Sequence, residues 1–78
     1  MKYLALKKIT DNIRKSMQEI GISQYELAYN MGISQVTLCQ ILNCKQEPRI
    51  STLANIAASL DKEVTDFFEG ISTKEMLE

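Results

Sequence analysis

Residues 24–43 read QYELAYNMGISQVTLCQILN, the pattern of two short helices joined by a glycine turn. Leu27 and Met31 stand four residues apart and Leu38 and Ile41 three apart, so each pair lies on one face of its helix. The spacing predicts a helix-turn-helix in which the two pairs bury one shared seam. At this point an ordinary helical hairpin in a small bundle remains the alternative.

Serine and glycine mark the ends of these two helices. Gly32 stands where the first helix must end, and glycine adopts a left-handed backbone without the strain that a Cβ causes. Ser23 and Ser34 each precede a helical run, where a hydroxyl oxygen can accept a hydrogen bond from an unpaired backbone N–H. Ala28 is small where the helices would cross. We therefore expect helices to begin near residues 24 and 35.

The chain before this stretch predicts a first helix from Lys7 to Ile20, ended by Gly21. Apolar residues recur in it at intervals of three and four, namely Leu6, Ile9, Ile13, Met17 and Ile20. Its exposed face is expected to carry Lys8, Arg14 and Lys15. Residues 1–8 are expected to be an N-terminal arm or the start of this helix, and for Met1 to Leu6 an extended strand is also compatible with the sequence.

The chain after residue 43 predicts a polar loop over residues 44–47, then Pro48 and two further helices. The fourth helix is expected to bury one face, formed by Ile50, Leu53, Ile56, Ala57 and Leu60. A short fifth helix over residues 64–69 would deliver Phe67 and Phe68 to the core. The prediction is an all-α fold of five helices, with one domain over residues 9–70 and a tail over residues 71–78.

Composition limits the classes of function. A chain of 78 residues forms one domain with a small core. No apolar run approaches the roughly 18 residues of a membrane span, so we expect a cytoplasmic protein without a membrane partner. Two cysteines without histidine predict neither a metal site nor a disulfide, and no cofactor is expected. Because no nucleophile and base stand at a suggestive spacing, we expect no enzyme.

Charge is divided unevenly along the chain, although the net charge is only −1. Residues 1–49 hold seven basic and four acidic side chains, a net charge of +3, and residues 50–78 have a net charge of −4. The half that contains the helix-turn-helix is therefore the half suited to phosphate.

From Ile9 to Phe68 the chain resembles the Cro/C1-type helix-turn-helix family of phage-repressor-like regulators. The resemblance lies in residues 21–34 (GISQYELAYNMGIS), Leu38, Ile41, Pro48, residues 52–60 (TLANIAASL), Asp66, Phe67 and Phe68. It implies a compact five-helix, lambda-repressor-like domain with the helix-turn-helix at helices 2 and 3. It also implies a partner, double-stranded DNA, and a transcriptional repressor that binds a palindromic operator as a homodimer.

The resemblance assigns roles to residues at the DNA interface. Gln24 is expected to hold a backbone phosphate from the start of the second helix. The recognition helix, residues 35–43, would lie in the major groove, with Gln35 reading adenine through its amide and Val36 touching a thymine methyl. Gln40 lies on the same outward side. The other expected contacts are Ser34 at the helix start, Thr37, Asn43 and Lys45 on phosphates, and Arg49 in the minor groove.

The chain departs from the family pattern in three places. Cys44 occupies the usual glycine position after the recognition helix, so it or Asn43 must be left-handed, and we expect Asn43. No Lys or Arg lies between Gln24 and Cys44, which predicts a shallow salt dependence for the motif alone. Finally, Leu42 and Met17 replace a glutamate and an arginine that pair in several members, so we expect them to touch in the core.

An alternative function keeps the same fold. The uncharged surface of the third helix, including Cys39 and Leu42, would then bind a protein partner, as an antitoxin or an anti-regulator does. The acidic overall balance favours this alternative slightly.

Overall fold

All regular secondary structure in the described part of the chain, residues 1–77 of a computed structural model, is helical. The elements in chain order are α1 (Tyr3–Ile20), α2 (Gln24–Met31), α3 (Gln35–Leu42), α4 (Ile50–Ser59), a 3₁₀ helix (Val64–Phe68) and α5 (Thr73–Leu77). The predicted all-α class is confirmed. None of the helices in residues 1–77 has both the length and the apolar character needed to cross a membrane.

One hydrophobic core joins the first four helices and the 3₁₀ helix. Its members are Ile9, Ile13, Met17, Leu27, Ala28, Met31, Leu38, Leu42, Leu53, Ile56, Ala57, Leu60 and Phe67. α1 packs against α3 and the 3₁₀ helix, and α2 packs against α3 and α4. Because α1 and α4 support the motif from its apolar side, the opposite side of α3 remains exposed to solvent.

The first four helices all end in the same backbone arrangement, a left-handed residue followed by a hydrogen bond that spans six residues. Gly21 and Gly32 adopt this conformation after α1 and α2, as predicted. After α3 the left-handed residue is Cys44, with φ 60°, and not Asn43, whose φ is −98°. The expectation for Asn43 is wrong because its N–H still completes the last turn by donating to the Cys39 carbonyl at 3.0 Å.

At the edges of the core, the structure decides one open alternative and corrects two predictions. α1 begins at Tyr3 and buries Ala5 and Leu6, so the first residues start the helix rather than form a strand or a free arm. Ile20 and Ile50 were expected on buried faces but are 51% and 70% exposed. Each stands at the terminus of its helix, where the neighbouring elements no longer cover it.

The end of the chain folds back on α1. The predicted fifth helix is a 3₁₀ helix that buries Phe67. The Asn12 side-chain amide of α1 binds this helix by donating a hydrogen bond to the Phe67 carbonyl at 2.9 Å. The predicted tail contains α5, whose Glu75 pairs with Lys8 of α1 at 3.0 Å, so Lys8 is not a free cation. Glu78, the last residue of that tail, lies outside the described residues.

Candidate nucleic-acid interface

The start of α2 is capped by a reciprocal pair of hydrogen bonds. The Glu26 backbone N–H donates to Ser23 Oγ at 3.1 Å, and the Ser23 N–H donates to Glu26 Oε1 at 3.3 Å. This capping box confirms the predicted start and places Gln24 in the first turn. Gln24 is half-buried, so its side chain is held near the protein surface rather than extended into solvent.

The start of α3 is organised by two hydroxyl groups. The Thr37 N–H donates to Ser34 Oγ at 3.1 Å, and the two side-chain oxygens lie 2.9 Å apart. This cap confirms the predicted first turn. It also occupies part of the hydrogen-bonding capacity of Ser34 and Thr37, both expected to contact DNA.

A shallow surface groove brings α2 and α3 together. It is lined by Gln24, Gln35, Val36, Cys39 and Gln40. The three amides can each donate and accept hydrogen bonds, and Val36, 67% exposed, adds methyl groups to the same groove. The groove therefore combines the hydrogen-bonding groups and the apolar contact that reading a base edge requires.

Cys39 is a residue of this groove that the sequence did not assign to DNA. It stands one helical turn after Gln35, so the spacing alone would have placed it on the same face. Cys39 and Cys44 are both free thiols. Leu42, in contrast, is only 2% exposed. The prediction that Leu42 contributes to an exposed protein-binding surface is wrong because its side chain belongs to the core.

The end of α3 is tied to α1 through Arg14. Arg14 Nη2 donates to the Leu42 carbonyl oxygen at 3.2 Å and to Asn43 Oδ1 at 3.0 Å. Asn43 Nδ2 in turn donates to Cys39 Sγ at 3.1 Å. Asn43 is therefore engaged within the fold, which leaves it less free for a phosphate than the sequence predicted. Arg14 was expected only on an exposed face, and no local signal connects it with a residue 28 positions away.

The remaining expected contacts lie beyond α3. The Lys45 backbone N–H donates to the Gln40 carbonyl at 2.8 Å, which fixes the start of the loop, while the Lys45 side chain is exposed. Arg49 precedes the first residue of α4 in an extended conformation, φ −72° and ψ 159°, and is also exposed. The groove, which includes Gln24, thus lies at one end of the candidate surface. Asn43 and Lys45 lie at the other end, where α3 ends.

Comparison with known proteins agrees with this geometry. The family model of the Cro/C1-type HTH DNA-binding domain matches residues 12–72. The chain belongs to this family. A crystal structure of an HTH_3 family transcriptional regulator from Vibrio cholerae is similar to it, with a TM-score of 0.78 and 26% sequence identity over 87% of this chain. The chain spans only 38% of that Vibrio protein. No curated protein matches the sequence.

Proposed function

We propose that this Cro/C1-type domain is the sequence-specific DNA-binding part of a transcriptional regulator, with α3 as its recognition helix in the major groove. The groove lined by Gln24, Gln35, Val36, Cys39 and Gln40 carries the proposal. The Gln35 and Gln40 amides of α3 line this one groove, and a cap fixes the start of the helix. The helix can therefore present these amides to base edges without first becoming ordered.

Contacts divide into two kinds in this proposal. Gln35, Val36 and Gln40 read bases from the face of α3, whereas Gln24, from the start of α2, holds a phosphate. The Ser34 and Thr37 hydroxyls, Asn43 and Lys45 add backbone contacts, and Arg49 enters the minor groove. Membership of the family and the similarity to the Vibrio cholerae transcriptional regulator support the class of function.

We further propose a homodimer that binds a palindromic operator and represses transcription from it. A single copy of α3 reads only a few base pairs, and a two-fold dimer doubles the site while it keeps one recognition surface. Dimer formation also doubles the number of cations on the duplex, which compensates for their absence between residues 24 and 44.

Selection of bound duplexes from a random pool tests the proposal. A recovered motif with two-fold symmetry and half-sites about one helical turn apart is expected. Sedimentation of the protein with that duplex should give two chains per site. A reporter whose promoter overlaps the site should be silenced by the protein. A pool that shows no enrichment over its starting composition would refute sequence-specific binding.

One observation favours a second function, that of a protein-interaction module. Val36 on α3, and Tyr25 and Tyr29 on α2, are large apolar or aromatic side chains that are 62% to 78% exposed. Binding to random duplex DNA at a series of salt concentrations separates the two functions, because a DNA binder must weaken as salt rises.

A further inference from the structure

The candidate interface lacks positive charge where it meets DNA. Within α2 and α3 the only ionic side chain is Glu26, and no Lys or Arg stands between residues 24 and 44. A duplex, however, carries one negative charge for about every 1.7 Å of its axis. Cations for the duplex must therefore come from neighbouring elements.

A small polar pocket beside the end of α3 brings such cations together. It has a volume of about 150 Å³ and is lined by Tyr3, Lys7, Arg14, Leu42, Asn43 and Cys44. Lys7 and Arg14 stand seven residues apart, which is two helical turns, so both project from the face of α1 that meets α3. Tyr3 stands one turn before Lys7 and is exposed at the rim.

Both cations have donors to offer a further acceptor. The two hydrogen bonds that Arg14 makes within residues 1–77 come from Nη2, which leaves Nε and Nη1 for another oxygen. Lys7 Nζ pairs with Asp11 Oδ1 at 2.7 Å, and both side chains are about half exposed. Such pairs contribute little to stability, so the ammonium can exchange its carboxylate for a phosphate.

Lys7 keeps its charge at this position. The Asp11 carboxylate raises the pKa of Lys7 through a hydrogen bond and through its negative charge, and these two effects outweigh the opposing effect of burial. Asp11 is also the group that opposes an anion here, because its carboxylate would repel one.

We propose that the pocket formed by Tyr3, Lys7, Arg14 and Asn43, here called the α1–α3 pocket, binds one phosphate of the DNA backbone. The inference rests on the proposed function, since it requires a duplex along α3. Two cations and a phenol hydroxyl are donors that suit the oxygens of a phosphate diester. Asn43 Nδ2 adds one more, because it uses only one of its two hydrogens on Cys39 Sγ. α1 thereby contributes a sequence-independent contact from outside the helix-turn-helix.

Replacement of Lys7 tests the pocket, with Lys15 as the matched control. Lys15 is an exposed cation of the same helix, but it lies by a different pocket, with Glu19 and Lys62. Lys7→Gln should lower the slope of log affinity against log salt by about 0.9, and it should weaken selected and scrambled duplexes by the same factor. Lys15→Gln should leave the slope unchanged.

The outcomes separate this inference from the proposed function. If Lys7→Gln and Lys15→Gln gave equal slopes of log affinity against log salt while the wild type still bound DNA, phosphate binding in the α1–α3 pocket would be refuted. Absence of salt-dependent binding by the wild type would instead overturn the proposed function. Thermal unfolding followed by circular dichroism checks that both variants are folded.

Replacement of the carboxylate gives an effect of opposite sign. Asp11→Asn frees Lys7 and removes the repulsion, so binding should tighten, and the gain should grow as salt is lowered. Glu19→Gln, which removes one negative charge from the same helix, is the matched control and should tighten binding less. An equal gain for both variants would mean that only the net charge matters.

A duplex with single neutral methylphosphonate groups at successive positions locates the contact. The wild type should lose affinity at the position whose phosphate enters the α1–α3 pocket. The Lys7→Gln variant should lose much less affinity than the wild type when that position is neutralised. At all other positions it should lose as much affinity as the wild type does. Identical profiles for the two proteins would place that phosphate outside the pocket.

Discussion

Arg14 Nη2 donates to the Leu42 carbonyl oxygen at 3.2 Å, and this bond joins α1 to the last turn of α3. The final carbonyl groups of a helix have no partner within the helix and carry partial negative charge, so a cation there is favourable. Arg14 Nη2 also donates a hydrogen bond to Asn43 Oδ1 at 3.0 Å. The orientation of the proposed recognition helix therefore depends on a side chain outside the helix-turn-helix.

Arg14→Met should destabilise the fold by about 1–3 kcal/mol, because it removes two hydrogen bonds from a charged donor but keeps the apolar stem. Urea unfolding measures the change. Lys15→Met, on the exposed side of α1, should change stability by less than about 0.5 kcal/mol. Equal effects from the two substitutions would mean that the Arg14 bonds do not stabilise the protein.

Cys44→Gly should stabilise the protein by up to about 1 kcal/mol. Cys44 has φ 60°, and a left-handed residue with a Cβ costs about 1–2 kcal/mol that glycine avoids. The gain is reduced by the greater freedom of glycine in the unfolded chain and by loss of the thiol, which lies 3.5 Å from the Thr10 hydroxyl oxygen.

Cys44→Ala distinguishes the backbone from the side chain at this position. Alanine loses the thiol contact but keeps the left-handed strain, so this variant should be less stable than the wild type. The midpoints of urea unfolding should therefore fall in the order glycine, cysteine, alanine. If the alanine variant were as stable as the glycine variant, strain at Cys44 would not be the cause.

Features whose cause is local could be predicted from the sequence. Ser23, Gly32 and Ser34 act on backbone groups within three to five residues, so their roles follow from spacing alone. The Arg14–Leu42 bond spans 28 residues and the Lys8–Glu75 pair spans 67. Such contacts depend on how whole helices pack against one another, and no local sequence pattern indicates them.

The left-handed residue after α3 illustrates both what the sequence could predict and what it could not. The resemblance to the family located the turn correctly, but residue preference selected Asn43 over Cys44. The left-handed residue is Cys44 because the Asn43 N–H still donates to the Cys39 carbonyl, so α3 continues for one more hydrogen bond. Contacts of the exposed α3 face with DNA remain a prediction.

Met17 and Leu42 are expected to be coupled energetically. Both are buried, 6% and 2% exposed, in the same core cluster. Met17→Arg or Leu42→Glu alone should destabilise the protein by about 3–5 kcal/mol, because each buries a charge without a partner. The double variant should recover much of that loss in a double-mutant cycle measured by urea unfolding. Additive losses would mean that the two side chains are not in contact.

Gln35 and Gln24 should differ in the kind of contact they make with DNA, although both line the same groove. Gln35→Ala should weaken the best site by about 1–3 kcal/mol and relax the preference at one base pair. Gln24→Ala should weaken all sequences alike, because a phosphate carries no sequence information. Selection from a random pool with each variant measures both effects, and an unchanged motif for Gln35→Ala would contradict its assignment to a base.

Arg49 is expected to confer a preference for A·T base pairs between the half-sites. It is exposed in an extended segment just before α4, beyond the loop that follows α3. A narrow A·T-rich minor groove has an enhanced negative potential that attracts a guanidinium, so the preference needs no hydrogen bond to a base. Arg49→Ala should therefore abolish the preference between duplexes with A·T and G·C centres and leave the outer motif read by Gln35 intact. Equal loss of affinity on both centres would make Arg49 a phosphate contact, and no loss on either would place it in solvent.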